Sequence, residues 1–188
     1  MYKMGSKTYF TTVDVALTGL FCALWTALNW YLAPLSVTLL GGLPIFHDFA
    51  VFFTLLLVAW VTGRFGTSLL AGIIGSVIVV SLGGPPPIIM FCFAVSAVIF
   101  DLLMSANHHK IRISVYSLTI ACIATISSAY VAGVLISVLF TPSDGLQYAL
   151  TIWGGWHVVG GIIALALTLP LIAALEKANV RKVKGDRQ

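Results

Sequence analysis

Charged side chains are scarce in this sequence. Asp, Glu, Lys and Arg make up 9% of the 188 residues, whereas hydrophobic residues make up 60%. An average globular domain has about 25% charged and roughly 45–50% apolar residues. A soluble fold of this size cannot bury so much apolar surface, whereas a lipid bilayer solvates it directly. The composition therefore predicts an integral membrane protein with one domain.

Several sequence motifs are also missing. The three cysteines, Cys22, Cys92 and Cys122, lie in apolar runs without a Cys-x-x-Cys pair, and their odd number argues against a disulfide framework. The chain has no Gly-x-x-x-x-Gly-Lys-Ser/Thr phosphate loop, no Gly-x-Ser-x-Gly elbow and no His-Glu-x-x-His pair. Its basic residues form no face interleaved with aromatics. We therefore expect no enzymatic activity, no cofactor, no resident metal and no nucleic-acid partner.

Six apolar segments are long enough, or nearly long enough, to cross a membrane, which takes about 20 residues. Glycine- and proline-rich or polar stretches separate them. Helices are expected, because a chain in lipid must satisfy its backbone polar groups internally. The predicted fold is an all-α bundle of six transmembrane helices followed by a basic tail at 176–188. The predicted helices span residues 12–33, 48–63, 66–82, 88–106, 113–140 and 147–175.

The basic residues are distributed asymmetrically between the connections. If the six segments alternate in direction, every Lys and Arg falls on one side of the bilayer. Basic residues concentrate on the cytoplasmic side of membrane proteins. The pattern predicts a multi-pass protein of the cell membrane with both termini in the cytoplasm. The ten residues are Lys3, Lys7, Arg64, Lys110, Arg112, Lys177, Arg181, Lys182, Lys184 and Arg187.

The first segment reads VDVALTGLFCALWTALN and places Gly19, Ala23 and Ala27 at intervals of four. Small residues at this spacing share a helix face and allow another helix to approach closely. With the chain length, the six segments and the long Gly/Pro-broken connection after the first, the segment resembles the S components of energy-coupling factor (ECF) transporters. The resemblance implies a vitamin-binding membrane subunit. Its small-residue face would dock on a transmembrane coupling subunit that carries two ATPases.

A binding site reachable from outside must use the outer halves of the helices. His157 lies about ten residues into the last segment, roughly 15 Å deep, and ionisable groups at such depth are functional candidates. Trp153 shares its face, and Asp48 is the acid nearest the outer end of the second segment. Aromatic walls with few polar groups suit a flat heterocycle, with a weak preference for a thiamine-like compound. The candidate residues are Asn29, His47, Asp48, Tyr130, Tyr148, Trp153, Trp156 and His157.

Three alternatives remain open at this level. His47, Asp48 and His157 offer ligands suited to cobalt or nickel, although the histidine beside the N-terminal methionine in the cobalt and nickel S components is missing here. His157 and Asp48 could serve as base and orienting acid of a membrane-embedded enzyme. A stand-alone channel or secondary transporter would be expected to show inverted repeats with broken helices.

Overall fold

The computed structural model describes residues 9–112 and 114–178, and these residues are helical apart from short connections. Six long or medium helices account for most of them, and no strand occurs in this part of the chain. A four-residue helix, α6, and a π-helical segment lead directly into α7. The helices are α1 (Thr12–Leu40), α2 (Ile45–Thr62), α3 (Thr67–Ser81), α4 (Pro87–Met104), α5 (Val115–Phe140), α6 (Gly145–Tyr148) and α7 (Gly154–Lys177), with the π segment at Ala149–Trp153.

Polar contacts show that successive helices run in alternating directions. They bring the start of α1, the α2–α3 turn, the end of α4 and the end of α7 to one end of the bundle, here called the basic end because Arg64, Lys110, Arg112 and Lys177 lie there. The contacts are Arg64 Nε to Asp14 Oδ2 at 3.3 Å, Gly66 N–H to Asp101 Oδ2 at 2.6 Å, and Trp60 Nε1–H to Glu176 Oε1 at 3.2 Å.

Five stretches are long and apolar enough to cross a membrane: Thr12–Leu40, Ile45–Thr62, Pro87–Asn107, Val115–Phe140 and Pro142–Lys177. The remaining helix, α3, has 15 residues, which at 1.5 Å per residue gives roughly 22 Å against a hydrocarbon thickness of about 30 Å. These lengths support the prediction of an all-α, multi-pass membrane protein.

The first helix is longer than the sequence indicated. We expected it to end near residue 33, before Pro34 and a long outer connection, but α1 continues to Leu40. The apolar run supports this extension, and proline is tolerated in a membrane helix when neighbouring groups satisfy the freed backbone. The helix ends where Gly41 adopts φ of 61° and Gly42 N–H bonds to the Ser36 carbonyl at 3.0 Å, a glycine-dependent C-terminal turn. The connection is therefore four residues long.

Two buried aspartates hold the basic end together. Asp14 forms a capping box with Thr11 at the start of α1 and also faces Arg64. Asp101 of α4 accepts the Gly66 N–H at the start of α3, and its Oδ1 lies 3.3 Å from His109 Nε2. Buried carboxylates of this kind are stable only when paired and hydrogen-bonded, so both aspartates act here as structural links between helices.

Glycines set the closest helix contacts around α3. A Cβ on Gly72 would lie 2.3 Å from the Ala97 Cβ of α4, and one on Gly75 would lie 2.8 Å from the Trp25 ring of α1. In a bilayer, helices associate through van der Waals packing of small residues rather than through the hydrophobic effect. The short helix α3 is thus held between α1 and α4 by surfaces that leave no room for a methyl group.

Gly72→Ala should destabilise the protein by about 1–3 kcal/mol, the usual cost of overpacking, because neither Cβ can move without shifting a helix. Thermal unfolding of the purified protein in detergent measures the effect. Gly155→Ala is the matched control, since its Cβ meets nothing within 4 Å and alanine favours a helix over glycine. Equal melting temperatures for Gly72→Ala and the unsubstituted protein would contradict the packing described here.

Candidate functional site

A buried hydrogen bond joins α7 to α2 at the end of the bundle opposite the basic end. His157 Nδ1 lies 2.9 Å from Asp48 Oδ1, and the two side chains are 1% and 0% exposed. Asp48 stands in the first turn of α2, where a negative charge interacts favourably with the helix dipole. It does not cap the helix with its side chain. Its principal partner is the imidazole of α7, 109 residues further along the chain.

Aromatic rings surround this pair. Phe93 of α4 contacts both imidazoles, with ring centroids 4.6 Å from His47 and 5.9 Å from His157. The Trp153 ring lies 6.0 Å from that of His157. Together, His47, Asp48, Phe93, Trp153 and His157 are called the His–Asp cluster. It combines a carboxylate and two imidazoles with two aromatic rings, and its residues come from α2, α4, the π segment and α7.

Each polar side chain of the His–Asp cluster keeps one buried atom without a hydrogen-bond partner among the described residues. Most buried polar side-chain atoms in proteins are hydrogen-bonded, and leaving one unpaired costs about 1–3 kcal/mol. Such atoms also occur elsewhere in the bundle, for example Asp14 Oδ1 and Asp101 Oδ1, but in the cluster four of them belong to side chains linked by contacts, which makes it the candidate site for a polar ligand. They are Asp48 Oδ2, His47 Nε2, His157 Nε2 and Trp153 Nε1.

The π-helical segment positions Trp153. Its i→i+5 bonding places residues five apart on the same side, and Tyr148 and Trp153 accordingly stack with centroids 6.3 Å apart and planes inclined by 27°. Tyr130 of α5 donates its hydroxyl to the Leu150 carbonyl within this segment at 2.9 Å. Such π segments often occur at functional sites. No local sequence pattern predicted the π-helical segment at Ala149–Trp153.

Three glycines allow the helices to approach at the cluster. A Cβ on Gly133 would lie 2.7 Å from the His157 ring, and one on Gly160 would lie 2.5 Å from the Asp48 Cβ. A Cβ on Gly154 would lie 2.8 Å from the Tyr130 ring. The His157–Asp48 contact therefore depends on glycine at positions 133 and 160.

The structure brings four predicted residues together: His47, Asp48, Trp153 and His157. Tyr148 joins them through its stack on Trp153, and Tyr130 through the π segment.

Trp156 lies on an outer face and is 36% exposed, away from the buried face of α7. Asn29 is buried in α1, where its Nδ2 donates to the Trp25 carbonyl at 2.9 Å. Phe93 was missed, because a phenylalanine in an apolar run has no sequence signature of a binding residue.

The small-residue face of α1 points outward. Gly19, Ala23 and Ala27 are all exposed, and a Cβ on Gly19 would meet nothing within 4 Å. Leu20 and Trp30 on the same side of the helix are 63% and 46% exposed. The opposite side, with Trp25 and Asn29, carries the contacts within the bundle. The Gly19–Ala23–Ala27 face is therefore free for lipid or another helix.

The metal alternative has little support in this geometry. Within residues 9–112 and 114–178, no three His, Cys, Asp or Glu side chains converge so that they could hold a metal ion. His47 lies beside Phe93, and Asp48 is bonded to the His157 ring nitrogen through Oδ1. The described polar groups are arranged for hydrogen bonding.

Unfolding of variants tests whether the His157–Asp48 pair itself stabilises the fold. His157→Leu should lower the free energy of unfolding by about 3–5 kcal/mol, because it leaves the Asp48 carboxylate buried without its partner. Asp48→Ala combined with His157→Leu should recover most of that loss, since replacing both members of a buried pair is often neutral. Thermal or denaturant unfolding in detergent measures both. A double variant as unstable as the single one would mean that the pair itself stabilises the fold.

Comparison with known proteins provides no assignment for this arrangement: no family model, no curated protein and no solved structure matches the chain.

Proposed function

We propose that this protein is the substrate-binding membrane subunit of an ECF-type importer and captures a small water-soluble vitamin or vitamin precursor from outside the cell. The observation that carries the proposal is the His–Asp cluster. Its buried carboxylate and imidazoles keep unpartnered polar atoms between aromatic rings. Ionisable groups inside a membrane are costly and usually mark a substrate pathway or binding site.

The position of the cluster fits capture from outside. It lies at the end of the bundle opposite Arg64, Lys110, Arg112 and Lys177, and basic residues favour the cytoplasmic side. In the proposed orientation, the basic end and both termini face the cytoplasm. The basic tail at 176–188 would lie on the inner leaflet; its residues 179–188 are outside the described part of the chain. The site would then be reached from the external mouth.

The outward-facing Gly19–Ala23–Ala27 face supports the proposal that a helix of a partner subunit docks on α1. A face of small residues permits close approach of helix backbones, and these three residues are not used for packing within the bundle. In the proposed assembly this face contacts the transmembrane coupling subunit. Two ATPase subunits bound to that subunit would supply the energy, because the chain itself has no phosphate-loop motif.

Mass spectrometry of small molecules that co-purify with the protein from its native host tests substrate capture. We expect one dominant water-soluble compound, and Trp153→Ala should reduce its occupancy at least tenfold because the substitution removes one wall of the cluster. Trp156→Ala, the same change three residues further along on the outer face of α7, should leave occupancy unchanged. Equal loss in both variants, or no bound compound, would contradict the proposed site.

Ala23→Phe should abolish co-purification of a coupling subunit and ATPases while leaving the isolated protein as stable as before. The reason is steric: the alanine is exposed in the monomer, so the larger ring clashes only with a closely packed partner. Ala174→Phe is the matched control, since Ala174 is an exposed alanine of α7. Co-purification of the same partners with Ala23→Phe would refute docking through this face.

A further inference from the structure

Among the residues that the structure describes, the half of the bundle that contains the His–Asp cluster has no lysine or arginine. The sequence has none at 8–63, 65–109 or 113–176, and the four described basic residues outside these ranges belong to the basic end. Two acids do lie in this half: Asp48 in the cluster and the exposed Asp144 just before α6. A cleft lined by one sign of charge attracts ligands of the opposite sign and disfavours those of the same sign.

The cluster also contains no lysine or arginine, and the N–H groups that remain are those of its histidines and Trp153. Carboxylates and phosphates are usually held by the planar fork of arginine or by lysine. The positive end of a helix dipole can replace them, but at the start of α2 this position is already occupied by the Asp48 carboxylate, which is 0% exposed. An anionic ligand beside His157 would lie a few ångströms from that carboxylate with no cation to offset the repulsion.

The hydrogen-bonding pattern indicates what the cluster accepts. Asp48 Oδ1 is bonded to His157 Nδ1, and Oδ2 remains as a buried acceptor without a partner among the described residues. A carboxylate oxygen accepts from N–H or O–H donors and, when ionised, prefers a cationic donor. The rings of Phe93 and Trp153 lie beside the imidazoles of the same cluster, and the face of a tryptophan also attracts cations.

We propose that the substrate is a small aromatic nitrogen heterocycle that carries an N–H donor and no anionic group, and that Asp48 selects it. This inference rests on the proposed function and names its substrate class. The donor binds Asp48 Oδ2, and the ring lies against Trp153. The phosphate ester of the same compound binds less well, because its charge repels the Asp48 carboxylate: across the length of such a ligand, about 8 Å, and at an effective dielectric of about 20, the repulsion is a factor of roughly 30 in affinity.

Matched ligand pairs test this selection with the unsubstituted protein in detergent. The probes are thiamine with thiamine monophosphate, and pyridoxamine with pyridoxamine phosphate; biotin and pantothenate serve as carboxylate probes. Isothermal titration gives the dissociation constants. We expect at least one of thiamine and pyridoxamine to bind, with at least tenfold weaker binding of its phosphate ester and no binding of the two carboxylates. Preference for any anionic probe, or binding of no probe, overturns the substrate class.

Asp48→Asn tests the residue that makes the selection. Asparagine keeps the shape and can still accept from His157, but it presents an N–H instead of an oxygen to the ligand. We expect affinity for the bound probe to fall about 10- to 100-fold, while Asp144→Asn changes it less than threefold. Unchanged affinity in Asp48→Asn, or equal losses in both variants, overturns the role of Asp48.

The two proposals fail in different ways. If the protein from its native host carries an anionic small molecule, the substrate class is wrong, whereas the proposed function stands. If that preparation carries no small molecule, the proposed function fails. The comparison of matched probes on the unsubstituted protein needs no variant, so it remains decisive even if Asp48→Asn does not fold.

Discussion

The bond between His157 and Asp48 is the interaction on which the arrangement of the site depends. It joins Asp48 in the first turn of α2 to His157 near the start of α7, and both side chains are almost completely buried. Taking a carboxylate out of water is costly, and a buried pair recovers that cost only with good geometry and further hydrogen bonds. Here the further bonds are missing on Asp48 Oδ2 and His157 Nε2. These two atoms are therefore available to a polar ligand.

Backbone packing makes this bond possible. Gly160 lets α7 approach the Asp48 Cβ, and Gly133 lets α5 approach the His157 ring, each at distances that exclude a methyl group. The π segment adds a second adjustment, because it turns Trp153 towards His157 and stacks Tyr148 upon it. Close backbone contact thus places large aromatic rings and polar groups together within a narrow bundle, which agrees with the way membrane helices pack.

The two ends of the bundle use acidic residues differently. At the basic end, Asp14 and Asp101 bind Arg64, a backbone N–H and His109, so they link helices. At the other end, Asp48 has a histidine partner, and none of the described lysines and arginines lies there. The same residue type is structural where cations surround it. Each of the three aspartates has one oxygen without a hydrogen-bond partner among the described residues, so Asp48 is a candidate for ligand binding because it lies among aromatic rings and imidazoles rather than beside a cation.

The sequence by itself determined the all-α class, the helix order and most boundaries, because apolar runs and glycine–proline breaks act locally. It also singled out Asp48, Trp153 and His157, since polar groups in long apolar runs stand out. The end of α1 at Leu40, the π segment and the role of Phe93 were decided only by tertiary structure. Each depends on which side chains meet across helices, and a one-dimensional pattern of hydropathy contains no information about such contacts.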